Sequence, residues 1–195
     1  DQIDIISTKN STYGYLAVNG GFDLEKTWDS YSINTKANIG PNDGKKYSLN
    51  DKIFIKKSDT KNIIKKKINY IYSPDNIIRI IKGTNFHYFS KDAIDKFFNE
   101  DFLITNLVDR MGMRLKGPKL ENIVSTNIKS EGLVRGVIQV PADGNPIIML
   151  SDHGTVGGYP KIGVVITADL DFAGQLTPGT KIKFKEVSLE EAQNI

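Results

Sequence analysis

Cysteine is absent from this sequence of 195 residues, and histidine occurs at His87 and His153 alone. The absence of cysteine excludes disulfide bonds, thiolate catalysis and cysteine-based zinc sites. Two histidines are too few for a histidine-rich metal site, so we expect no metal. A chain without cysteine also fits a reducing compartment, and we therefore expect the cytoplasm as its location.

Long apolar runs and a large excess of charge of one sign are missing as well. No stretch approaches the roughly 18–20 apolar residues that cross a bilayer, so we expect no membrane partner. The formal net charge of +3 is too small to indicate nucleic-acid binding. The chain starts without Met and has no signal-peptide pattern. We interpret it as a piece of a longer protein, so the missing signal says little about the parent.

Short apolar segments between glycine-rich turns dominate what is present. Apolar runs and period-2 alternation predict strands at 13–18, 53–55, 77–81, 111–115, 137–140, 146–150, 163–168 and 181–186. Ser90 can cap one short helix, and the capping-box spacing of Ser188 and Glu191 predicts a second from Leu189. A mostly β chain with two short helices indicates a closed barrel or a sandwich rather than a nucleotide-binding parallel sheet.

One domain boundary is visible near residue 74, where Ser73, Pro74 and Asp75 form a break. It follows a lysine-rich run, residues 52–67, that contains seven lysines. The run could attract phosphate or carboxylate groups. A solvated hairpin or linker face explains it equally simply, and we favour that interpretation.

Residues 130–176 differ from the rest of the chain because glycines, prolines and small polar residues lie between buried strands. Gly157 and Gly158 would let the backbone approach a ligand or adopt positive φ, and consecutive N–H groups there could hold an anion. Thr155, Tyr159 and Lys161 add donors beside them. By themselves these features are more typical of a tight turn than of a site.

The order of motifs in this region resembles a known family. The matching stretches are I-Q-V-P-A-D-G-N-P-I at 138–147, D-H-G-T-V-G-G-Y-P-K-I at 152–162, A-D-L at 168–170 and G-Q-L-T-P-G-T-K-I-K-F at 174–184, with Y-L-A-V-N-G-G-F-D at 15–23 and D-R-M-G-M-R-L at 109–115 upstream. From about residue 13 to its end the chain is similar to the allophanate hydrolase subunit 2 family, also described as carboxyltransferase subdomains A and B. His153, Gly154 and Val156 replace the Arg, Gln and second Thr of the family pattern. The family's amino-terminal segment with Q-D-x-G-R-x-G is missing.

The resemblance implies a fold of cyclophilin-like β-barrels with a few short helices. Residues 1–74 would be the remainder of a first barrel-like subdomain, and residues 75–195 a cyclophilin-like carboxy-terminal subdomain. The resemblance also implies that the chain is one subunit of a 5-oxoprolinase complex, which uses ATP to open 5-oxoproline to glutamate. The partners would be a protein of the allophanate hydrolase subunit 1 family and a third, separate polypeptide of the complex. The piece alone is expected to be inactive.

The same resemblance suggests roles for residues of the glycine-rich region and its neighbours. Asp152 would orient the substrate or act as a base, and the N–H groups of Gly157 and Gly158 would stabilise a developing oxyanion. The residues expected to bind substrate are Arg110, Arg135, Gln139, Thr155, Tyr159 and Lys161. We expect the loop 152–161 to lie at a barrel rim and to line the main pocket.

Two other functions remain open at this point. The chain could transfer a carboxyl group from carboxybiotin to a urea-like nitrogen, as urea carboxylase does. No biotinyl-lysine motif occurs in the sequence, so biotin would have to arrive on another domain or chain. The other alternative is a non-catalytic regulator that binds a kinase-inhibitor protein similar to the allophanate hydrolase subunit 1 family. No cofactor is expected in this chain itself, and ATP would be used by the complex.

Overall fold

A computed structural model of the chain describes residue 8, residues 11–58 and residues 75–195. The described residues belong to two compact units. Residues 15–58 form one, and residues 75–195 together with residues 8 and 11–14 form the other. The expected boundary near residue 74 lies outside the described residues, as does the second half of the lysine-rich run.

The larger unit, which we call the barrel unit, contains all nine strands and all three α-helices found in the described residues. The helices are α1 (Lys91–Asn99), α2 (Thr167–Gln175) and α3 (Leu189–Asn194). The strands are β1 (Ile77–Lys82), β2 (Phe102–Val108), β3 (Gly112–Lys116), β4 (Glu131–Gly132), β5 (Val137–Gln139), β6 (Ile147–Met149), β7 (Val156–Gly157), β8 (Lys161–Val165) and β9 (Lys181–Glu186).

Seven of these strands close into a barrel in the order β1-β8-β5-β6-β3-β2-β9. The ring is completed where β9 pairs with β1 in parallel, and its other pairs are antiparallel. The two remaining strands, β4 and β7, form a separate two-stranded sheet. The structure therefore confirms the predicted class, a mostly β chain with a closed barrel and short helices.

The barrel core follows from alternation along its strands. In β9, Ile182 and Phe184 are buried, while the lysines between and beside them face outward. In β1, Ile78 and Ile80 point into the same core. Helix α1 contributes Phe97, whose ring stacks on Phe184 with centroids 4.5 Å apart. The apolar residues at period 2 thus close the barrel around one core.

Both predicted helices form with the predicted caps. Ser90 Oγ accepts a hydrogen bond from the N–H of Ala93 at 3.1 Å and starts α1. At α3, Ser188 Oγ accepts from the Glu191 N–H at 3.1 Å, and the Glu191 carboxylate accepts from the Ser188 N–H at 2.7 Å. This reciprocal pair is a complete capping box.

Several sequence predictions of secondary structure are wrong. Residues 13–18 form no strand, and of residues 53–55 only Ile55 pairs, in an isolated bridge with Phe22. The strand predicted at 163–168 ends at Val165, and a third helix, α2, begins at Thr167. Strand β2 was not predicted. Apolar runs of this length suit either helix or strand, and the tertiary partner decides between them.

The smaller unit, residues 15–58, is built from turns and isolated bridges. Its bridges join Phe22 to Ile55, Thr27 to Ser30, and Asn34 to Ile39. Of these residues, only Pro41 and Gly44 are buried. The assignment of residues 1–74 to the remainder of a first barrel-like subdomain stays a prediction. In the described part of the chain, no helix is long and apolar enough to cross a membrane.

Candidate functional site

Lys161, the first residue of β8, carries a buried charge. Its side chain is 5% exposed, and its ammonium Nζ forms an ion pair with the carboxylate Oε2 of Glu131. Glu131 begins the short strand β4, and its side chain is 44% exposed. Lysine is almost never fully buried unless it is paired. The pair therefore joins a charge held inside the barrel unit to one that reaches the surface.

Two buried side-chain amides flank Lys161, one hydrogen-bonded to its backbone and one on the residue that pairs with it across β5 and β8. Asn85 Oδ1 accepts from the backbone N–H of Lys161 at 3.1 Å, and the Asn85 side chain lies close enough to Glu131 to lower the pKa of its carboxyl. Gln139, on β5, donates from Nε2 to the backbone oxygen of Tyr159 at 3.3 Å. Both amide residues are 4% exposed. We refer to Lys161, Glu131, Asn85 and Gln139 as the Lys161 cluster.

The hydrogen bond from the Lys161 ammonium lowers the pKa of the Glu131 carboxyl below its ordinary value. Desolvation opposes this effect, while the charge of Lys161 and the hydrogen bond from Asn85 add to it. The carboxylate is consequently ionised at neutral pH. The cluster offers a cation, an anion and two neutral amides at one place.

Gly157 makes room for the cluster. It lies on β7 opposite Glu131, and a Cβ atom at this position would be 2.6 Å from Gln139 Nε2 and 2.9 Å from Leu133 Cδ1. At Gly158, a Cβ atom would lie 3.1 Å from the backbone oxygen of Ile128. Neither glycine is among the described glycines with positive φ. Close approach of the backbone, rather than a left-handed turn, therefore explains why glycine suits both positions.

Arg110 and Asp152 lie together in a second place. The Arg110 guanidinium binds the Asp152 carboxylate through Nε at 2.7 Å and Nη2 at 2.9 Å, and the Asp152 N–H donates to the Arg110 oxygen at 2.7 Å. Both side chains are exposed, at 59% and 36%. In this structure the proposed base is thus bound to a proposed substrate-binding arginine. Their roles toward substrate stay predictions.

The other predicted site residues are spread further. Arg135 forms an ion pair with Asp171 of α2 at 3.1 Å on the surface. Thr155 is exposed and accepts through its backbone oxygen from the N–H of Leu133 at 3.0 Å. The Tyr159 side chain is partly exposed, while its backbone oxygen meets Gln139. Of the predicted residues, the structure therefore gathers Gln139, Gly157, Gly158, Tyr159 and Lys161.

An open cavity of about 230 Å³ lies against β3 and β6. From the loop 152–161, Gly154 alone reaches it. Its walls are mainly apolar, with one acidic and one basic residue, and are formed by Leu107, Asp109, Met111, Gly112, Arg114, Ile147, Met149 and Gly154. This cavity and the Lys161 cluster share no residue.

A family model described as carboxyltransferase domain, subdomain A and B, matches residues 1–186. The chain belongs to this carboxyltransferase domain family. Its fold is shared with the solved structure of the urea carboxylase of Kluyveromyces lactis. That structure superposes with a TM-score of 0.78 at 25% identity, over 91% of this chain and 18% of the other.

The carboxyltransferase domain is also similar to two curated relatives, each named as one subunit of 5-oxoprolinase. The relative from Escherichia coli is 35% identical over 91% of this chain and 57% of its own length. The relative from Haemophilus influenzae is 34% identical over 96% of this chain and 60% of its own length. The chain thus spans less than two thirds of either relative. Because both names designate one subunit, they imply a multi-subunit complex for those proteins.

Two members of the Lys161 cluster were not predicted from the sequence of this carboxyltransferase domain. Glu131 and Asn85 lie 30 and 76 positions from Lys161, and no spacing rule joins them. For Lys161 itself the sequence held one signal. It directly precedes the apolar run 162–166, so we could expect it on a buried strand, where one face points into the core.

Proposed function

We propose that this chain is part of a 5-oxoprolinase-type enzyme, which opens the lactam ring of 5-oxoproline to give glutamate at the expense of ATP. Two relatives named for this enzyme, at 35% and 34% identity, support the assignment. The single observation that carries it is the Lys161 cluster. The complex would include a protein of the allophanate hydrolase subunit 1 family and a third polypeptide, and ATP would be used by the complex.

The chemistry of 5-oxoproline matches the groups in the cluster. The substrate has one carboxylate, which needs a cation, and one lactam amide, which needs a donor and an acceptor. The Lys161 ammonium supplies the cation, and the primary amides of Asn85 and Gln139 supply both other functions. A buried ammonium binds a carboxylate more strongly than an exposed one because water screens it less.

Ring opening adds water to the lactam carbonyl carbon, and negative charge develops on the carbonyl oxygen as this C–O bond forms. The charge is lost when the C–N bond breaks and the ring nitrogen leaves, protonated, as the amino group of glutamate. The N–H groups near Gly157 and Gly158 are proposed to stabilise this charge. Asp152 is proposed to orient the substrate or to act as the base. Arg110 and Arg135 lie outside the Lys161 cluster and are proposed to attract the substrate's carboxylate toward the site from a distance. Thr155 and Tyr159 complete the proposed set with their hydroxyl groups.

The test is Lys161→Met in the complete protein, assembled with its partner proteins. Glutamate release from 5-oxoproline with ATP should fall at least about a hundredfold, because removing one partner of a buried, hydrogen-bonded charge pair costs about 2–5 kcal/mol of binding. The urea midpoint of unfolding should stay equal or rise, because Met removes the buried charge and the Glu131 side chain, which is 44% exposed, can then keep its carboxylate in water.

Lys82→Met is the matched control, since Lys82 pairs with Glu186 at 2.9 Å but is 51% exposed. This variant should keep the wild-type rate. Wild-type turnover in Lys161→Met would remove the cluster from the proposed reaction.

The second candidate is carboxyl transfer to urea. It is favoured by the superposition on the Kluyveromyces lactis urea carboxylase. In this reaction biotin would be delivered by another domain or chain. Measuring ADP release with either 5-oxoproline, or urea and bicarbonate, separates the two, and avidin should block the second alone. If neither substrate stimulates ADP release while a partner of the allophanate hydrolase subunit 1 family still binds, the chain is a regulator.

A further inference from the structure

The two charges of the Lys161–Glu131 pair differ in their access to water. The Lys161 side chain is 5% exposed and extends from a barrel strand, whereas that of Glu131 is 44% exposed. Glu131 and Gly132 make up the whole of β4, and both are exposed. The carboxylate can therefore turn into solvent by side-chain rotation, but the ammonium cannot leave its place.

A buried ammonium needs an anion beside it, because a charge without a partner in the interior carries a large desolvation cost. In the described residues, the carboxylate that meets this need is that of Glu131. Two carboxylates at one ammonium would repel each other, so a second anion that enters must displace the first. The pair meets the requirement for such an exchange, because its cation is fixed and its anion lies near the surface.

We propose that the Glu131 carboxylate occupies the position of a ligand's carboxylate at Lys161 Nζ, and that binding of the ligand moves Glu131 into solvent. This inference rests on the proposed function, in which the ligand is 5-oxoproline, and it adds Glu131 as a residue that sets the affinity of the site. Asn85 binds the backbone of Lys161 twice, accepting from its N–H at 3.1 Å and donating from its own N–H to the Lys161 oxygen at 3.3 Å, so it holds the lysine in place while the carboxylates exchange.

Competition of this kind lowers the apparent affinity for the ligand. When the binding-competent state is only a fraction of the population, the apparent dissociation constant rises by the inverse of that fraction. If Glu131 holds Lys161 in about nine molecules of ten, removing its charge should tighten binding about tenfold. Most losses of a charge at a binding site weaken binding, so the sign of this effect is diagnostic.

The experiment compares wild type and Glu131→Gln in the complete protein, using 5-oxoproline and acetate as probes in chemical-shift titrations. Both probes should bind about tenfold more tightly to the variant. Glu186→Gln is the control, because Glu186 is also 44% exposed and paired with a lysine, but its partner Lys82 is on the surface. It should bind both probes as the wild type does. Unchanged or weaker binding in Glu131→Gln overturns the proposal.

A second measurement covers the case in which Glu131→Gln does not fold. In the wild type with ¹³C-labelled glutamate, saturating acetate should return the pKa of the Glu131 carboxyl toward its ordinary value, since Lys161 no longer holds it. An unchanged pKa in the presence of bound acetate overturns the proposal.

The experiments can reject the displacement of Glu131 and the proposed function independently of each other. Tighter acetate binding to Glu131→Gln without turnover of 5-oxoproline by the wild type keeps the displacement and rejects the function. Ring opening that depends on Lys161, with no gain of anion affinity in Glu131→Gln, rejects the displacement and keeps the function.

Discussion

Two lysine–glutamate pairs of the barrel unit show how burial separates the roles of identical residue types. Lys82 and Glu186 meet at 2.9 Å with about half of each side chain exposed. Surface pairs of this kind contribute little to stability, because water and salt screen them. Lys161 instead gives up almost all its hydration, and its pairing with Glu131 has to offset that loss. A charge in this position is more easily explained by binding than by stability.

The pH dependence of stability should reveal the Glu131 pair. Because Lys161 lowers the pKa of Glu131 in the folded state below 4.5, the pair's contribution is complete above pH 4.5. It is lost as the pH falls through the lowered pKa. Urea unfolding should therefore show Glu131→Gln less stable than the wild type by a constant amount from pH 6 to 8. The gap should close below about pH 4.5.

Glu186→Gln again serves as the reference for an exposed pair and should differ little from the wild type at any pH. A gap between wild type and Glu131→Gln that persists unchanged down to pH 3 would contradict the ion pair as its source.

At the scale of elements, helix α2 packs on the barrel core through Leu170, Phe172 and Ala173, and one buried carboxylate ties it to a strand as well. Asp169 accepts from the backbone N–H of Arg79 at 2.7 Å and from its guanidinium Nε at 3.0 Å. Arg79 lies on β1, so this contact joins helix and strand. Asp171, two residues on, is 86% exposed in its pair with Arg135. One helix thus carries a buried and an exposed aspartate, each paired with an arginine.

Asp169→Ala should lower the free energy of unfolding by about 2 kcal/mol, because it leaves a buried N–H and a partly buried guanidinium without their acceptor. Asp171→Ala should be indistinguishable from the wild type, since its pair is exposed. Urea denaturation of the two variants measures the difference directly. Equal losses in both would contradict the assignment of Asp169 as a tie between α2 and β1.

In the small β4–β7 sheet, Gly157 ends β7 and packs closely against Gln139. Gly157→Ala would place Cβ 2.6 Å from Gln139 Nε2, so the amide or the strand must move. We expect a loss of about 1–3 kcal/mol in stability. Ring opening by the complete protein should also fall at least about tenfold, because small displacements of positioned groups are costly in catalysis.

Gly132→Ala tests the same sheet without the clash, because nothing lies within 4 Å of a Cβ atom there. It should leave both stability and activity close to wild type. If Gly157→Ala changes stability and activity as little as Gly132→Ala does, the close approach of Gly157 to Gln139 is not needed for either.

At the scale of the whole molecule, the two units differ in how much apolar surface they bury. The barrel unit contains the continuous core, whereas residues 15–58 expose large apolar side chains such as Trp28, Leu49 and Phe54. Amide protection follows buried packing and local hydrogen bonding. In hydrogen exchange on the 195-residue chain, barrel strands should exchange slowly, at the rate of global unfolding. Residues 15–58 should exchange within seconds to minutes, and equal protection of both units would contradict this division.

Local pattern was enough to predict much of the barrel. Alternation predicted β3 and β9, continuous apolar runs predicted β1 and β5, and hydroxyl caps predicted α1 and α3. These signals are local, because side-chain period and end capping depend on neighbours within a few residues. The order of motifs likewise indicated the family, which the match to residues 1–186 shows.

The features that the sequence did not predict depend on contacts between distant parts of the chain. The partners that a segment finds in the folded chain decide three such features. They are the parallel pairing of β1 with β9, the helix at residues 167–175 and the absence of a strand at 13–18. The sequence also indicated Gln139, Gly157 and Lys161 as a site, but not that Glu131 and Asn85 would join them. Whether a charge is buried, and which groups meet it, is set by the tertiary structure, because no local pattern encodes contacts across 30 residues, as for Glu131, or 76, as for Asn85.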